Sequence, residues 1–248
     1  MRYEKGSIAI SVGQDLPLLR QVLQSQFITH DQLFEFMRLG CYELKRSSFN
    51  WRVLRLVQKG FLERHPLRAS CVYSIAPAGA SFLAATEEYC PTLRRRRLRD
   101  ASYYDHSLEL NELHLSLIRQ GVLESWQSEM EVRSTNDLTD YGYVKNYDAI
   151  VTVSLDERTT SFGLEYERTP KKSADYVRIR GLLEQETQIH QFLYVVPNTH
   201  LACFLRYCFA GTTASVLIGN ATEFTTSFHT MRLTDASSGR TRIASASL

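Results

Sequence analysis

Three carboxylates lie in two segments that otherwise have the composition of buried strands. Asp148 precedes the apolar run AIVTVSL, and Glu165 and Glu167 flank a tyrosine in SFGLEYERT. Residues two apart on a strand point to one face, and Asp148 shares that face if the two segments pair as a hairpin. Converging carboxylates raise one another's pKa unless a cation joins them. Because Mg²⁺ prefers carboxylate oxygens, the pattern indicates a small metal-binding or catalytic site.

The same three acids also fit a purely structural role. Strand carboxylates often face solvent or pair with arginine, and Arg168 and Arg178 are near in the chain. The alternative to a catalytic site is therefore a fold kept for dimerisation or DNA positioning. His106 and His114 are not four residues apart and have no cysteine or histidine partner nearby, so we predict structural roles for both.

Hydrophobic periodicity predicts the elements that must position the acids. An amphipathic helix is expected over 103–121, and a strand–helix–strand order around 173–189 implies a parallel pair with a crossover. The predicted elements are an extended segment at 124–133, strands at 143–155 and 161–169, a strand at 190–198, a helix at 201–211 and strands at 214–219 and 222–229. This second module is therefore α/β, and the polar tail 231–248 is expected to be disordered.

The first module has the signals of three short helices, a hairpin and a fourth helix. The predicted helices cover about 15–26, 29–39 and 47–59, two short strands follow within 61–75, and another helix begins near 76. Thr29 and Gln32 have capping-box spacing, and Ile28 and Leu33 occupy the positions of a hydrophobic staple. This is the winged-helix order, in which the third helix enters the DNA major groove and the wing contacts phosphate.

Basic residues concentrate on this first module. Residues 1–100 carry 16 Lys and Arg against 9 Asp and Glu, and residues 101–248 carry 13 against 18. The module is therefore expected to face a polyanion, with double-stranded DNA as the partner. The predicted DNA-binding residues are Lys45, Arg46, Asn50, Arg52, Arg55, Arg64, Arg68, Arg94, Arg95, Arg96 and Arg97. The alternatives are a merely solvated helix face and a winged helix that contacts protein.

Composition excludes several other classes. The chain has no apolar run long enough for a membrane span, and its first residues lack the charged-then-apolar order of a secretory signal. The five cysteines are scattered and form no C-x-x-C pair, which argues against a zinc site or disulfide framework. We expect a cytoplasmic protein, with a homodimer as a possible state.

The acids at 148, 165 and 167 resemble the core pattern of the PD-(D/E)XK nuclease-like superfamily. That pattern places an acid at one strand start and an acid-x-lysine on the next strand, so the resemblance implies Asp148, Glu165 and Glu167 as catalytic residues. It also implies Asp148 and Glu165 as Mg²⁺ ligands. Glu167 stands where the lysine would be, and Lys171, Lys172 or Arg178 are candidates to supply its charge. Glu112 is a candidate fourth acid.

The order of motifs in the whole chain resembles the replication-relaxation family. The motifs are ITHDQL, VLRLVQKGFLER and VYSIAPAG, then DHSLELNELHLSL, YDAIV and LEYERT. That family occurs on plasmids and other mobile elements, and its members have been linked to plasmid replication and DNA relaxation. An acid-x-acid on the later strand is common in it, as at Glu165 and Glu167.

Together these features predict an N-terminal winged helix-turn-helix followed by a restriction-endonuclease-like α/β domain. The expected parts are a DNA-binding domain at 10–90, a basic linker at 91–102, the nuclease-like domain at 103–230 and the tail at 231–248. The expected function is DNA binding in plasmid replication or relaxation or in transcriptional control. The alternatives are a metal-dependent nuclease or nickase, and a regulator whose second module binds an effector or partner protein.

Overall fold

The computed structural model describes residues 10–67, 70–86 and 101–248, with side chains from 104 onward in the last range. The chain divides into two compact units, 1–111 and 112–248, each with helices and a sheet. Among the described residues, no helix has the length and apolar character needed to cross a membrane.

The first unit begins with three helices close to the predicted ranges. They are α1 (Asp15–Ser25), α2 (His30–Leu39) and α3 (Arg46–Gln58). The predicted capping box is confirmed, because Thr29 Oγ1 accepts from the Gln32 amide at 3.1 Å and the Gln32 side chain accepts from the Thr29 amide. Phe49, Val53 and Leu56 form the buried stripe of α3.

A small antiparallel sheet completes the first unit. Its strands are β1 (Ile28–Thr29), β2 (Leu62–Leu67) and β3 (Ser70–Ile75), and β3 is central, so the order is β1-β3-β2. Gly60 ends the α3 region with φ +74°, a left-handed conformation that glycine adopts at little cost, and so turns the chain into β2. Helix α4 (Pro77–Thr86) follows the hairpin, as predicted.

The second unit is a seven-stranded mixed sheet with helices. Its elements begin with α5 (Ala101–Arg119), which starts in the first unit's range, and continue with β4 (Leu123–Ser128), α6 (Glu129–Leu138), β5 (Ala149–Leu155), β6 (Arg158–Tyr166), α7 (Ser173–Leu183), β7 (Gln191–Val196), α8 (Thr199–Phe209), β8 (Ser215–Asn220), α9 (Ala221–Thr226), β9 (Arg232–Asp235), β10 (Thr241–Ile243) and α10 (Ala244–Ser247).

The strands of this sheet lie in the order β10-β9-β8-β7-β6-β5-β4. Strands β4, β5 and β6 are antiparallel neighbours, whereas β6, β7 and β8 are parallel and are joined through α7 and α8. The predicted parallel pair with a crossover is therefore present. Apolar residues of α7 and α8 pack on one face of β7 and β8 in a core that includes Tyr176, Leu205, Phe192 and Ile218.

The segment predicted as extended over 124–133 is a strand up to Ser128 and helical after it, and the strand predicted at 222–229 is helical up to Thr226. In each case a capping residue explains the helix. The helix α6 begins at Ser128, whose amide and hydroxyl both donate to Glu131 Oε2 at 2.7 Å. The helix α9 begins at Asn220, whose Oδ1 accepts from the amides of Thr222 and Glu223. In α9, this capping outweighs the strand propensity of the threonines in ATEFTT.

The tail predicted to be disordered is ordered. Strand β9 pairs with β8, β10 pairs with β9, and α10 follows. Met231 and Leu233 are 1% exposed, and Ala244 is fully buried. Met231, Leu233, Ala236 and Ala244 are buried although the tail is mostly polar, a property that composition does not reveal.

Candidate functional site

The β5–β6 hairpin brings the three predicted acids to one end of its two strands. Asp148 immediately precedes β5, Glu165 lies near the end of β6, and Glu167 follows β6. Asp148 Oδ2 accepts a hydrogen bond from the Tyr166 amide at 2.7 Å, which joins the start of one strand to the end of the other. Glu165 is 9% exposed and Glu167 is 5% exposed. The three acids therefore lie together at one end of the β5–β6 hairpin, with Glu165 and Glu167 buried.

Lysine side chains neutralise the two buried glutamates. Lys145 Nζ donates to Glu165 Oε1, and Lys171 Nζ donates to Glu167 Oε2. The Lys145 side chain is 14% exposed, whereas that of Lys171 is 44% exposed. Burial raises the pKa of Glu165 to about 7, the Lys145 ammonium opposes this effect, and the charge of Asp148 adds to it.

A buried tyrosine hydroxyl faces the same acids. Tyr194 of β7 stands opposite Glu165 in the parallel register, so the two side chains share a face of the sheet. The residue is fully buried, and its hydroxyl has no hydrogen-bond partner within the described ranges. Burial, followed by the charges of Glu165 and Glu167, raises the pKa of Tyr194 well above its usual value. The phenol therefore stays neutral and can donate.

As arranged, this cluster does not fit a magnesium ion. In the part of the chain that the structure describes, no three His, Cys, Asp or Glu side chains converge closely enough to hold a metal. Mg²⁺ requires a near-octahedral set of oxygen ligands, whereas Glu165 and Glu167 each bind an ammonium group. Glu112 pairs with Arg119 at 2.5 Å, and its role as a fourth acid stays a prediction. The ligand and catalytic roles of the acids, including Asp148, stay predictions.

Lys145 is a residue of this cluster that the sequence reasoning missed. The candidates predicted to supply the positive charge of the missing lysine are Lys171, Lys172 and Arg178. Of these, Lys171 contacts the cluster. Lys172 is exposed at the start of α7, and Arg178 is exposed on α7. The available signal was a lysine three residues before Asp148, on the first acid's own segment.

In the first unit, two arginines predicted to contact DNA face carboxylates. Arg52 donates to Asp15 Oδ1 at 2.7 Å and to Glu43 Oε2 at 3.1 Å, and Arg55 donates to Asp15 Oδ2 at 2.5 Å. Asp15 is fully buried, and the Arg52 and Arg55 side chains are 11% and 23% exposed. All three guanidinium nitrogens of Arg52 are therefore engaged inside the unit, whereas Arg55 is held through Nη2 and its buried Nε has no hydrogen-bond partner among the described residues. Phosphate contact by either arginine stays a prediction.

The other predicted residues of α3 differ in how far they are engaged. Lys45 is exposed at the start of the helix and has no ion pair among the residues described. Arg46 pairs with the exposed carboxylate of Asp31. Asn50 is exposed, and its Oδ1 lies 2.8 Å from His30 Nε2. Of these three side chains, Lys45 has the charge most available to a phosphate.

The remaining predicted DNA-binding residues lie in or beyond the hairpin. Arg64 is exposed on β2. Arg68 and the run Arg94, Arg95, Arg96 and Arg97 fall outside the described residues. Half of the 16 Lys and Arg of residues 1–100 fall outside them too, so the structure describes half of the charge on which the DNA prediction rested.

Comparison with known proteins gives one decisive result. The model of the replication-relaxation family matches residues 19–193, well over half of the chain. The chain belongs to the replication-relaxation family. Among curated proteins, none matches it significantly. Membership indicates a role in the replication or relaxation of mobile-element DNA, with DNA as the macromolecule on which the protein acts.

In this replication-relaxation protein, α3 presents an outward stripe that the sequence reasoning did not include. Ser47, Trp51, Leu54 and Gln58 recur at three- and four-residue intervals and are all exposed, with Trp51 62% and Leu54 55% exposed. The Arg55 guanidinium lies 5.2 Å from the centre of the Trp51 ring. Helical spacing alone could have identified this stripe, because its residues lie opposite the buried stripe of α3.

Proposed function

We propose that this protein binds double-stranded DNA through its first unit, which acts as a winged helix with α3 as its recognition helix. One observation carries the proposal: three helices and a β2–β3 hairpin follow in order, with β3 between β1 and β2 in the sheet. In winged helices of this order the third helix enters the major groove. The possible homodimer and a role in transcriptional control stay predictions.

The outward face of α3 supports the same role and suggests how it reads DNA. Asn50, Trp51 and Leu54 are exposed and uncharged. Asparagine can hydrogen-bond adenine edges and apolar side chains can contact thymine methyl groups, so these residues are suited to base contacts in the major groove. Lys45 and Arg64 are the described residues best suited to phosphate, because both are exposed and carry no ion pair in the described ranges.

Binding to a fluorescent random-sequence duplex, measured by anisotropy from low to high salt, tests this proposal. Each lost phosphate contact lowers the slope of log affinity against log salt by about 0.9, so Lys45→Ala with Arg64→Ala should lower it by about 2. Trp51→Ala removes no phosphate contact, so its slope should equal that of the wild type. A wild-type protein that leaves the duplex unbound would refute the proposal.

For the second unit we propose a nuclease-like α/β domain whose acids the lysines keep neutralised. The order α5-β4-α6-β5-β6-α7-β7, with three antiparallel strands and then a parallel one, supports this assignment, although α6 separates the first two strands. The order matches the expected core pattern, with Asp148 before the second strand and Glu165 on the third. In this interpretation the domain positions DNA or a partner and does not cut.

Metal-dependent cleavage is the second candidate, because Asp148, Glu165 and Lys145 lie together at the end of one hairpin. Purified protein would be incubated with supercoiled plasmid and Mg²⁺ or Mn²⁺, beside Asp148→Asn. Nicked or linear plasmid from the wild type alone would favour the nuclease. A plasmid that stays supercoiled but shifts in a gel would favour binding without cleavage.

A further inference from the structure

An open cleft of about 260 Å³ lies at the β10 end of the larger sheet. Its walls come from alternate residues of three neighbouring strands, 215 and 217 of β8, 233 and 235 of β9, and 242 of β10, together with Arg240 just before β10. Side chains two apart share one sheet face, so this face is opposite the one that packs on α8. The family match ends at residue 193, so family membership does not account for the cleft.

Two arginines give the cleft its charge. Arg240 and Arg242 both line it, both are exposed, and neither forms an ion pair within the described ranges. Arg232 on the same hairpin differs, because its guanidinium is held by Glu223 through Nε at 3.0 Å and through Nη2. The cleft therefore contains two guanidinium groups without an ion pair in the described ranges, on residues whose Cα atoms are about 7 Å apart in an extended chain.

One acid lies in the cleft, but its charge is directed into the turn. Asp235 Oδ1 accepts from the Ser238 amide at 2.6 Å and from the hydroxyls of Ser237 and Ser238 at 3.0 and 2.7 Å. It pairs with neither arginine. Two positive charges against one negative charge leave the cleft with a net positive charge.

A third arginine adds to the positive charge around the hairpin. The Arg206 guanidinium lies beside the turn at Gly239, where a Cβ would come within 2.9 Å of Arg206 Nη2. Arg206 is exposed and has no ion pair in the part of the chain that the structure describes. It extends the basic surface beyond the cleft itself.

We propose that this cleft binds a phosphate of the DNA backbone. The planar guanidinium fork donates two parallel hydrogen bonds to phosphate oxygens, and serine hydroxyls are common phosphate donors, as Ser215 and Ser247 are positioned to be at the rim. The inference rests on the proposed DNA-binding function and adds a second, independent contact surface in the second unit. Free inorganic phosphate shares the same chemistry, so the test must separate the two sources.

The test compares the full-length wild type with Arg240→Gln/Arg242→Gln in duplex binding across a salt series. The double variant should keep its fold, because both side chains are exposed, and should lower the salt slope by about 0.9, the value for the loss of one phosphate contact. The matched control is Arg232→Gln, which removes an arginine from the same hairpin whose charge Glu223 already neutralises. Its slope should equal that of the wild type.

A parallel titration with inorganic phosphate distinguishes a DNA-phosphate site from a free-phosphate site. It is followed by the amide NMR shifts of residues 238–243. A lower slope in the double variant alone supports the DNA contact. If the wild type binds the duplex and the double variant has the same salt slope as the wild type, the inference is overturned and the proposed function stands. If phosphate still shifts those amides in that case, the cleft is a free-phosphate site. A wild type that binds no duplex refutes the proposed function and this inference together.

Discussion

Asp15→Asn is the sharpest test of how the ion-pair network stabilises the first unit. The Asp15 carboxylate is fully buried, and its two oxygens accept from Arg52 at 2.7 Å and from Arg55 at 2.5 Å. Asparagine has almost the same shape but no charge. The substitution therefore keeps the side-chain shape, removes the negative charge from beside both guanidinium groups and turns one acceptor into a donor that faces another donor.

The expected cost follows from the burial of the partners. Breaking a buried ion pair costs about 3–5 kcal/mol, because it leaves an uncompensated charge. Arg52 keeps Glu43 at 3.1 Å and the Arg55 side chain is 23% exposed, so the lower end of that range applies. With a loss of about 3 kcal/mol and a urea dependence of roughly 2 kcal/mol/M, the unfolding midpoint should fall by about 1.5 M.

The assay is urea unfolding in a Trp126→Phe background, where Trp51 of the first unit is the remaining tryptophan. The matched control is Asp31→Asn, because Asp31 also pairs with an arginine but its side chain is 85% exposed. That surface pair should be worth about 0–1 kcal/mol. Equal midpoints for the Asp15 variant and the wild type would refute the reasoning.

Three further predictions concern the second unit, and each is measured by urea unfolding. Burial lowers the pKa of His114 from 6.5 to about 3. The free energy of unfolding should therefore fall as the pH drops below 6.5, by about 2 kcal/mol at pH 5. His114→Gln should abolish that pH dependence. A midpoint that changes equally in both proteins would contradict it. Lys145→Met should lower the free energy of unfolding more at pH 8 than at pH 5. Glu165, with a pKa of about 7, is ionised at the higher pH and then lacks its counter-ion. An equal loss of unfolding free energy at both pH values would count against this pairing. Gly219→Ala should cost about 1–3 kcal/mol by overpacking, because a Cβ there lies 2.0 Å from Met231 Cε; an unchanged midpoint would mean that the methionine moves aside freely.

Local sequence signals predicted most of the elements, because those signals act over three or four residues. The Thr29–Gln32 capping box, for example, predicts the start of α2 from two residues three positions apart. The alternating apolar residues of the β5–β6 hairpin and the crossover to β7 were also predicted. The same kind of signal at Ser128 and Glu131 marks the point where the segment 124–133, expected to be extended throughout, changes from strand β4 to helix α6.

The pairing of charges could not be predicted, because it depends on residues far apart in the chain. Arg52 meets Asp15 across 37 positions, and Lys145 meets Glu165 across 20. Helical periodicity places Arg52 away from the apolar stripe, which is correct, but it does not say that a buried carboxylate of another helix lies there. A charge count treats every arginine as equally available.

The network around Asp15 limits how α3 can contact DNA. A phosphate that recruited Arg52 or Arg55 would have to replace a fully buried carboxylate, and the abandoned Asp15 would then stay buried without a partner. That loss, about 3–5 kcal/mol, exceeds what one surface phosphate contact returns. We therefore expect both arginines to hold α3 against α1 while its neutral outward stripe meets the bases. Phosphate contacts then have to come from exposed cations without ion pairs, and among the described residues these include Lys45 and Arg64 in the first unit and the two arginines of the cleft in the second.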